Sequence, residues 1–521
     1  MAMYPQQFAE IYVISDIHMG GQKDSDRNFQ IFNRGSRLSA LIRYINAQRQ
    51  NEDTALVLNG DIIDSLAEEE VPGYVALDAR TAVQMMDRIY NDPSFSPVWE
   101  ALAAFVTKPK RHLVFVVGNH DIELSLPIVE DSIRRRLAEG KADAQSRISF
   151  ATHGGGFACR VGATRVFCTH GNELDPMNWV DYNLLGQLAN AINAGRAVDP
   201  TKWKPNAGTR FVVNVMNDVK LQFPFVDLLK PEVAAIVSVL IALDRDVLKK
   251  IDFQEDLPII RDAIRGALVT RKLLGPDATN LAAAPPEALA EETTARLLGP
   301  NFGAAVRSAR SSGRTEDDLL LEAGKAVAQR KQASEVLGID VAPETLSALD
   351  LVRGWVGLVS RIEGLRLALK DWIKDDTTYA VATADDLFEA MADRVGNGVG
   401  FVVTGHTHLA RALRLPRGIY YYNCGTWIRL LRLTDEVLAD NVTFEKSLWS
   451  ALTAGKMSIL DEAQIPGPGG KTVPLLFDRT NVVRISANGD RVTGDLLFVS
   501  DGPNNDAVLL QEPGTAPFTL G

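Results

Sequence analysis

Five short motifs follow one another along this 521-residue chain: Asp16-Ile17-His18, Gly60-Asp61-Ile62-Ile63-Asp64, Gly118-Asn119-His120-Asp121, His170-Gly171 and Gly405-His406-Thr407-His408. They contain five of the chain's seven histidines. Carboxylates, an amide oxygen and imidazoles form a donor mixture suited to divalent transition ions, and histidine is also the usual proton donor near neutral pH. Asp16 and His18, two residues apart, would share one face of an extended segment and reach one ion. Asp61 offers a bridging carboxylate and Asn119 a neutral oxygen, while His170, His406 and His408 offer imidazoles. Gly405 leaves room for a close backbone approach beside the last two. Two ions ~3.5–4 Å apart can neutralise a phosphoryl group, make a nucleophile from water and stabilise the leaving oxygen. Phosphoester hydrolysis is the chemistry this set implies.

The intervening residues predict the elements that must hold it. Ile11–Ile14, Ala55–Leu58 and Leu113–Val117 read as buried strands, each running directly into a motif. Ser36–Gln50, Ala79–Tyr90 and Pro97–Val106 read as helices between them. Open α/β sheets collect their ligands outside the carboxyl ends of the strands. Gly156–Arg160 and Arg165–Thr169 predict a hairpin that delivers His170, and Val399–Thr404 a strand that delivers the last motif. From about Pro176 to Asn397 the periodicity turns helical, with helices expected over Pro258–Lys272, Glu316–Leu337, Glu344–Lys374 and Ala384–Val395, the last capped by Thr383. Pro276–Pro300 reads as an irregular connector. Because motif residues flank this block, it is expected to be an insertion into the catalytic domain. The division is 1–176 for the first half of the core, 177–397 for the helical insertion or lid, and 398–521 for the second half. After a strand at Ile419–Asn423, Asn488-Gly489 predicts a hairpin joining Asn481–Ser486 to Arg491–Val499, expected to complete a second sheet.

Composition narrows the field. With 46% hydrophobic and 23% charged residues the chain reads as a folded, soluble protein. A net charge of −11 disfavours a polyanionic partner, so nucleic acid is not the expected substrate, although bound metals would reverse the field locally. Three scattered cysteines make no disulfide framework and fit a reducing, cytoplasmic setting, and no secretory signal is visible at Met1–Glu10. The apolar run Val233–Leu243 is shorter than the ~20 residues that span a bilayer. It reads as a buried helix, with a lid or membrane-contacting helix as the alternative.

The five motifs in order resemble the calcineurin-like metallophosphoesterases, whose pattern D-x-H, G-D-x-x-D, G-N-H-D/E, H-G and G-H-x-H is matched in full over roughly Glu10–Pro176 and Gly398–Trp427. The resemblance implies an α/β fold, a four-layer αββα sandwich, here with a large mainly helical insertion. It also implies that Asp16, His18, Asp61 and His408 bind one metal, that Asp61, Asn119, His170 and His406 bind the other, and that a bridging hydroxide attacks phosphorus. His120 would protonate the leaving oxygen, with Asp121 orienting its imidazole; the alternative for Asp121 is a cap on the following helix. The opening Ser15-Asp16-Ile17-His18-Met19-Gly20 is similar to that of bacterial members such as the UDP-diacylglucosamine hydrolases, which carry arginine where this chain has His120.

The expected activity is therefore hydrolysis of a small phosphodiester or monoester by two divalent ions, Mn²⁺ first and Fe, Zn²⁺ or Ni²⁺ as alternatives. Competing readings are a pyrophosphatase acting on a nucleotide-linked lipid or sugar, a nuclease, and a non-catalytic scaffold. The other conspicuous residues have plainer readings. Asp64 stabilises its loop, His112 and His153 are ordinary strand or loop residues, and Cys168 is a small buried hydrophobe. Arg134-Arg135-Arg136 forms a solvated helix face, and Trp179 and Tyr182 pack the core or, alternatively, cover the substrate.

Overall fold

The computed structural model describes residues 6–21, 30–68, 79–175, 177–199, 202–203, 205–229, 239, 242–243, 360–373 and 380–521. The expected helices at Pro258–Lys272 and Glu316–Leu337, the first part of Glu344–Lys374, the connector Pro276–Pro300 and most of Val233–Leu243 lie outside them. The chain divides into two compact units. The first comprises residues 1–205, 378–429 and 478–521, and the second comprises 206–377 and 430–477. Residues 177–205 and 378–397, the margins of the expected insertion, thus lie with the motifs, whereas 430–477 lies in the second unit.

In the first unit, β1 (Gln6–Phe8) and β2 (Glu10–Ile14) lead into helix α1 (Gly35–Ala47) and β3 (Thr54–Asn59). Helices α2 (Ala79–Asn91) and α3 (Ser96–Thr107) then precede β4 (Arg111–Val116), α4 (Pro127–Leu137) and β5 (Ile148–Ala151). Strands β2, β3, β4 and β5 are parallel neighbours in that order, with Val13 opposite Val57 and Val57 opposite Val114. Both faces of this sheet are covered, so the middles of its strands are apolar on both faces rather than alternating. Tyr12, Ile14, Leu56, Leu58, Leu113 and Phe115 face one way and pack with α1 to α4. Their neighbours Ile11, Val13, Ala55, Val57, Val114 and Val116 face the other way, toward a second sheet.

That second sheet contains β1, β6 (Phe157–Val161), β7 (Thr164–Cys168), β8 (Val399–Thr404), β9 (Ala410–Arg414) and β10 (Tyr420–Cys424), in the order β1-β6-β7-β8-β10-β9. The β6–β7 hairpin appears as expected, and β7 and β8 pair in parallel although over two hundred residues separate them. On its outer face Val402 and Tyr421 pack with Met391 and Val395, in and just after the short helix Asp386–Ala392. Helices, sheet, sheet and helix make the αββα layering. Asp385, not Thr383, caps that helix, its carboxylate accepting from Phe388 N at 2.9 Å.

The C-terminal hairpin, Asn481–Asn488 and Arg491–Asp501, is present but joins the first sheet rather than building the second, because Asn481–Asn488 pairs antiparallel with β2. Leu496, Val483 and Ile485 thereby extend the core between the sheets. Trp427 is fully buried, donating its indole N–H to Asn481 O at 3.0 Å and its backbone N–H to Asp16 O at 3.0 Å.

The second unit, where described, is built of short helices, including Arg361–Ile373 and Met457–Glu462, and two small antiparallel pairs. Arg366 donates to Leu438 O at 3.0 Å, fastening Arg361–Ile373 to the segment after residue 430. Among the described residues no helix is long and apolar enough to cross a membrane.

Replacing Trp427 with Ala should cost about 3–5 kcal/mol, the usual range for truncating a buried tryptophan. Urea unfolding of the two proteins measures it, and a loss below about 1 kcal/mol would contradict the packing described.

Candidate metal centre

The nine candidate site residues, Asp16, His18, Asp61, Asn119, His120, Asp121, His170, His406 and His408, lie in the first unit, at the ends of strands from both sheets. The segments after β2 and β3 are laced together by backbone hydrogen bonds, Asp16 N to Gly60 O (3.1 Å), Ile17 N to Asp61 O (2.9 Å), His18 N to Asp61 O (3.0 Å) and Met19 N to Ile62 O (2.9 Å). Across the sandwich, Gly405 N donates to His170 O at 2.8 Å. Asn423 supports the last motif, its amide donating to Gly405 O at 2.7 Å.

The backbone here differs from the extended geometry expected of Asp16-Ile17-His18. Strand β2 ends at Ile14, and Asp16 (φ 54°), His18 (54°), Asp61 (50°), His406 (71°) and His408 (61°) all adopt left-handed conformations. Such angles cost non-glycine residues on the order of 1 kcal/mol or more each and cluster at functional sites. The two members of each D-x-H or H-x-H pair converge through this turning, not through the period of a strand.

Two groups of candidate ligands result, with the donor atoms of each within 4.8 Å of one another: Asp16, His18 and His408, and Asp61, His170 and His406. They adjoin through Asp61, whose Oδ2 lies 3.0 Å from His170 Nε2 and 3.9 Å from His18 Nε2. A further grouping, His18, Asp64 and His120, shares His18 with the first.

Hydrogen bonds around three imidazoles fix which nitrogen carries a lone pair. His170 Nδ1 donates to the Asn59 carbonyl at 2.9 Å, which leaves Nε2 as the ligand atom. Thr426 Oγ1 gives its proton to Asp16 O, so it accepts from His408 Nδ1 at 3.0 Å, and His408 Nε2 faces Asp16 Oδ1 at 3.6 Å. His406 is turned the other way, with Nε2 against Asp175 Oδ2 at 3.0 Å and Nδ1 left for a ligand bond.

Both ring nitrogens of His18 and the side-chain oxygen of Asn119 are buried without a hydrogen-bond partner. Buried lone pairs are costly to leave unsatisfied. Together with acceptor-only carboxylates they fit divalent cations.

The electrostatics point the same way. Burial pushes the Asp16 carboxyl up. Burial also works against ionised Asp61, but the charges on His170 and His120 outweigh it and hold Asp61 well below the carboxylate range. His170 loses by burial and gains more from Asp61, reaching about 10. A proton and a metal ion compete for the same Nε2 lone pair, so a field that stabilises the one stabilises the other.

The carboxylate against His120 is Asp64, not Asp121: His120 Nδ1 lies 3.2 Å from Asp64 Oδ1, and Asp64 Oδ2 lies 3.7 Å from His18 Nδ1. Burial opposes ionised Asp64, yet the hydrogen bond to His120 and the nearby His18 ring keep it far below the usual range. Asp121 neither orients the imidazole nor caps the turn at Ile122–Ser125. Its oxygens instead accept from Gly118 N (2.6 Å) and Ile62 N (2.7 Å), joining the second and third motifs. Burial, then neighbouring Asp61, pushes it up to about 7. The second aspartate of Gly60–Asp64 was the available signal for Asp64. Asp175 had none beyond lying just past His170.

The plainer readings fare as follows. His112 pairs with Asp53 at 2.8 Å and His153 is exposed. Arg134 and Arg135 pair with Glu130 and Asp131 one turn away, and Arg136 with Asp87. Cys159, Cys168 and Cys424 are free and buried. Tyr182 packs in the core with its hydroxyl near Asn172 Oδ1 at 3.5 Å.

A methyl group at residue 405 would stand 2.4 Å from Ser15 Oγ and 2.5 Å from Asp16 Oδ2. Gly405→Ala should therefore displace Asp16 and sharply lower metal retained after dialysis, read by elemental analysis, in a protein that still folds by circular dichroism. Wild-type metal content would refute the close approach.

Residues 9–227 match the family model described as calcineurin-like phosphoesterase, a match that takes in Asp16 to His170 and ends before His406. No curated protein matches the chain. Among solved structures it is similar to a dimetal phosphatase from Danio rerio at 10% identity, over 96% of this chain and 98% of that one, with a TM-score of 0.28. A likeness that slight carries no argument. Residues 9–227, under half of the chain, are thus similar to the calcineurin-like phosphoesterases, and they contribute to each of the candidate ligand groups.

Proposed function

We propose that this enzyme hydrolyses a phosphodiester, or a phosphomonoester, with two divalent ions held by Asp16, His18, Asp61, Asn119, His170, His406 and His408, and with His120 as general acid. The observation that carries the reading is the pair of ligand groups meeting at Asp61. When bound, the ions neutralise phosphoryl charge and activate water. Mn²⁺ is the proposed metal, with Fe, Zn²⁺ or Ni²⁺ as alternatives for a site of carboxylate, amide and imidazole donors.

The chain's own residues supply the rest. Asp61 Oδ1 accepts from His120 N at 2.9 Å, so the residue that holds the metals also fixes the backbone of the proton donor. Asp64 holds His120 Nδ1, which orients Nε2, the nitrogen that gives a proton to an alkoxide leaving group in this reading. We further propose that residues 177–397 are an insertion bearing on substrate choice. A small phosphoester is the proposed substrate, and the three free cysteines fit a cytoplasmic setting.

His120→Asn should lower kcat about 10²–10⁴-fold on an alkyl phosphodiester, and much less on a p-nitrophenyl ester, whose leaving group needs no proton. Metal content should stay at wild type. Equal losses on both esters would exclude the acid role. EDTA should abolish turnover and Mn²⁺ restore it, and activity that survives exhaustive chelation would overturn the two-ion reading.

A further inference from the structure

We infer that Asp175 is a positioning residue that makes His406 a ligand through Nδ1 and thereby sets the affinity of the Asp61, His170 and His406 ion site. The inference rests on the two-ion reading above and adds to it a residue outside all five motifs. Asp175 Oδ2 lies 3.0 Å from His406 Nε2, with side-chain exposures of 14% and 10%. The carboxylate is itself held, accepting from Met177 N at 2.9 Å and from Asn178 Nδ2 at 2.8 Å. It follows the short turn Asn172–Leu174, which opens at Gly171 directly after His170. One six-residue stretch thus carries a candidate ligand and the anchor for a second ligand more than two hundred residues away.

The orientation of His406 is opposite to that of its two partners. His170 and His408 present Nε2 because Asn59 O and Thr426 Oγ1 take their Nδ1 protons. His406 has φ 71°, and Nδ1, bonded to Cγ, is the ring nitrogen nearer its own backbone. A free imidazole exchanges its proton between the two nitrogens, and a ring with the proton on Nδ1 cannot ligate there. Asp175 accepts only, so it holds the proton on Nε2 and leaves the Nδ1 lone pair ready. Outer partners of metal-bound histidines are worth about 10–100-fold in affinity.

The test uses full-length enzyme stripped of metal and titrated with Mn²⁺ in a calorimeter. Wild type should show two binding events, and Asp175→Ala should weaken one of them about 10–100-fold while leaving the other unchanged. Asp175→Asn, which keeps the size but places an N–H where an acceptor stood, should weaken the same event. His406→Ala should abolish it. Unchanged affinities in a folded Asp175→Ala would overturn the role of Asp175. Unchanged affinities in His406→Ala would instead overturn the assignment of His406 to a metal. A measurement on the unmodified chain stands independently of how the variants fold. Long-range ¹H–¹⁵N spectra of the metal-free enzyme should show His406 protonated at Nε2 with an unprotonated Nδ1, and a ring protonated at Nδ1 alone would refute the proposal.

Discussion

Four aspartates, at positions 16, 61, 64 and 121, are gathered at one end of two packed sheets, and none is more than 9% exposed. Burying that much negative charge is the constraint on which the rest depends, since an isolated carboxylate in a protein interior is expensive. Each is accounted for differently. Asp121 is satisfied by two backbone N–H groups, Asp64 by His120, and Asp16 by the N–H of His406. Asp61 faces both histidine groups. Positive charge is demanded by the arrangement, and divalent ions meet the demand without adding buried donors that would need partners of their own.

Meeting this constraint shapes the backbone. Carboxylates and imidazoles on ordinary strands would alternate between faces and stay a residue spacing apart. Left-handed turns at five of the candidate ligands tighten the motifs so that side chains from four segments converge. The cost is carried by what surrounds them. Apolar strand interiors beneath, Trp427 bonded through its backbone N–H to Asp16 O and through its indole to Asn481 O, and cross-strand backbone bonds between motif loops leave the strained turns no room to relax. This explains why glycines alternate with ligands along the motifs, for a methyl at Gly118 would fall 2.1 Å from Asp61 Oδ1.

Much of this was legible in the sequence because it is local. Apolar runs ending in Asp, Asn or His marked strands and their functional ends, and they mark β2, β3, β4, β7 and β8 in the structure. What escaped was non-local or conformational. A two-residue spacing fits both an extended segment and a left-handed turn, so the strain at Asp16 and His18 left no trace in composition. The hairpin at Asn488-Gly489 was visible, but its partner β2 lies at the other end of the chain, and nothing in either strand names the other. Adjacency also misled. Asp121 follows His120 directly, yet consecutive side chains diverge, and the carboxylate that reaches the ring comes from Asp64 on a neighbouring loop.

That exchange between Asp64 and Asp121 carries a physical lesson about the site. A carboxylate that fixes backbone must keep both oxygens on N–H donors, and Asp121 does so at 2.6 and 2.7 Å, leaving nothing for an imidazole. A carboxylate that tunes an imidazole needs to be ionised, and of these two Asp64, flanked by His120 and His18, is held strongly in that form, whereas burial beside Asp61 pushes Asp121 toward protonation. Two aspartates three residues past Asp61 and one past His120 therefore divide the labour by charge state. Structural clamping goes to the acid that tolerates a proton, and electrostatic support of His120 goes to the one that does not.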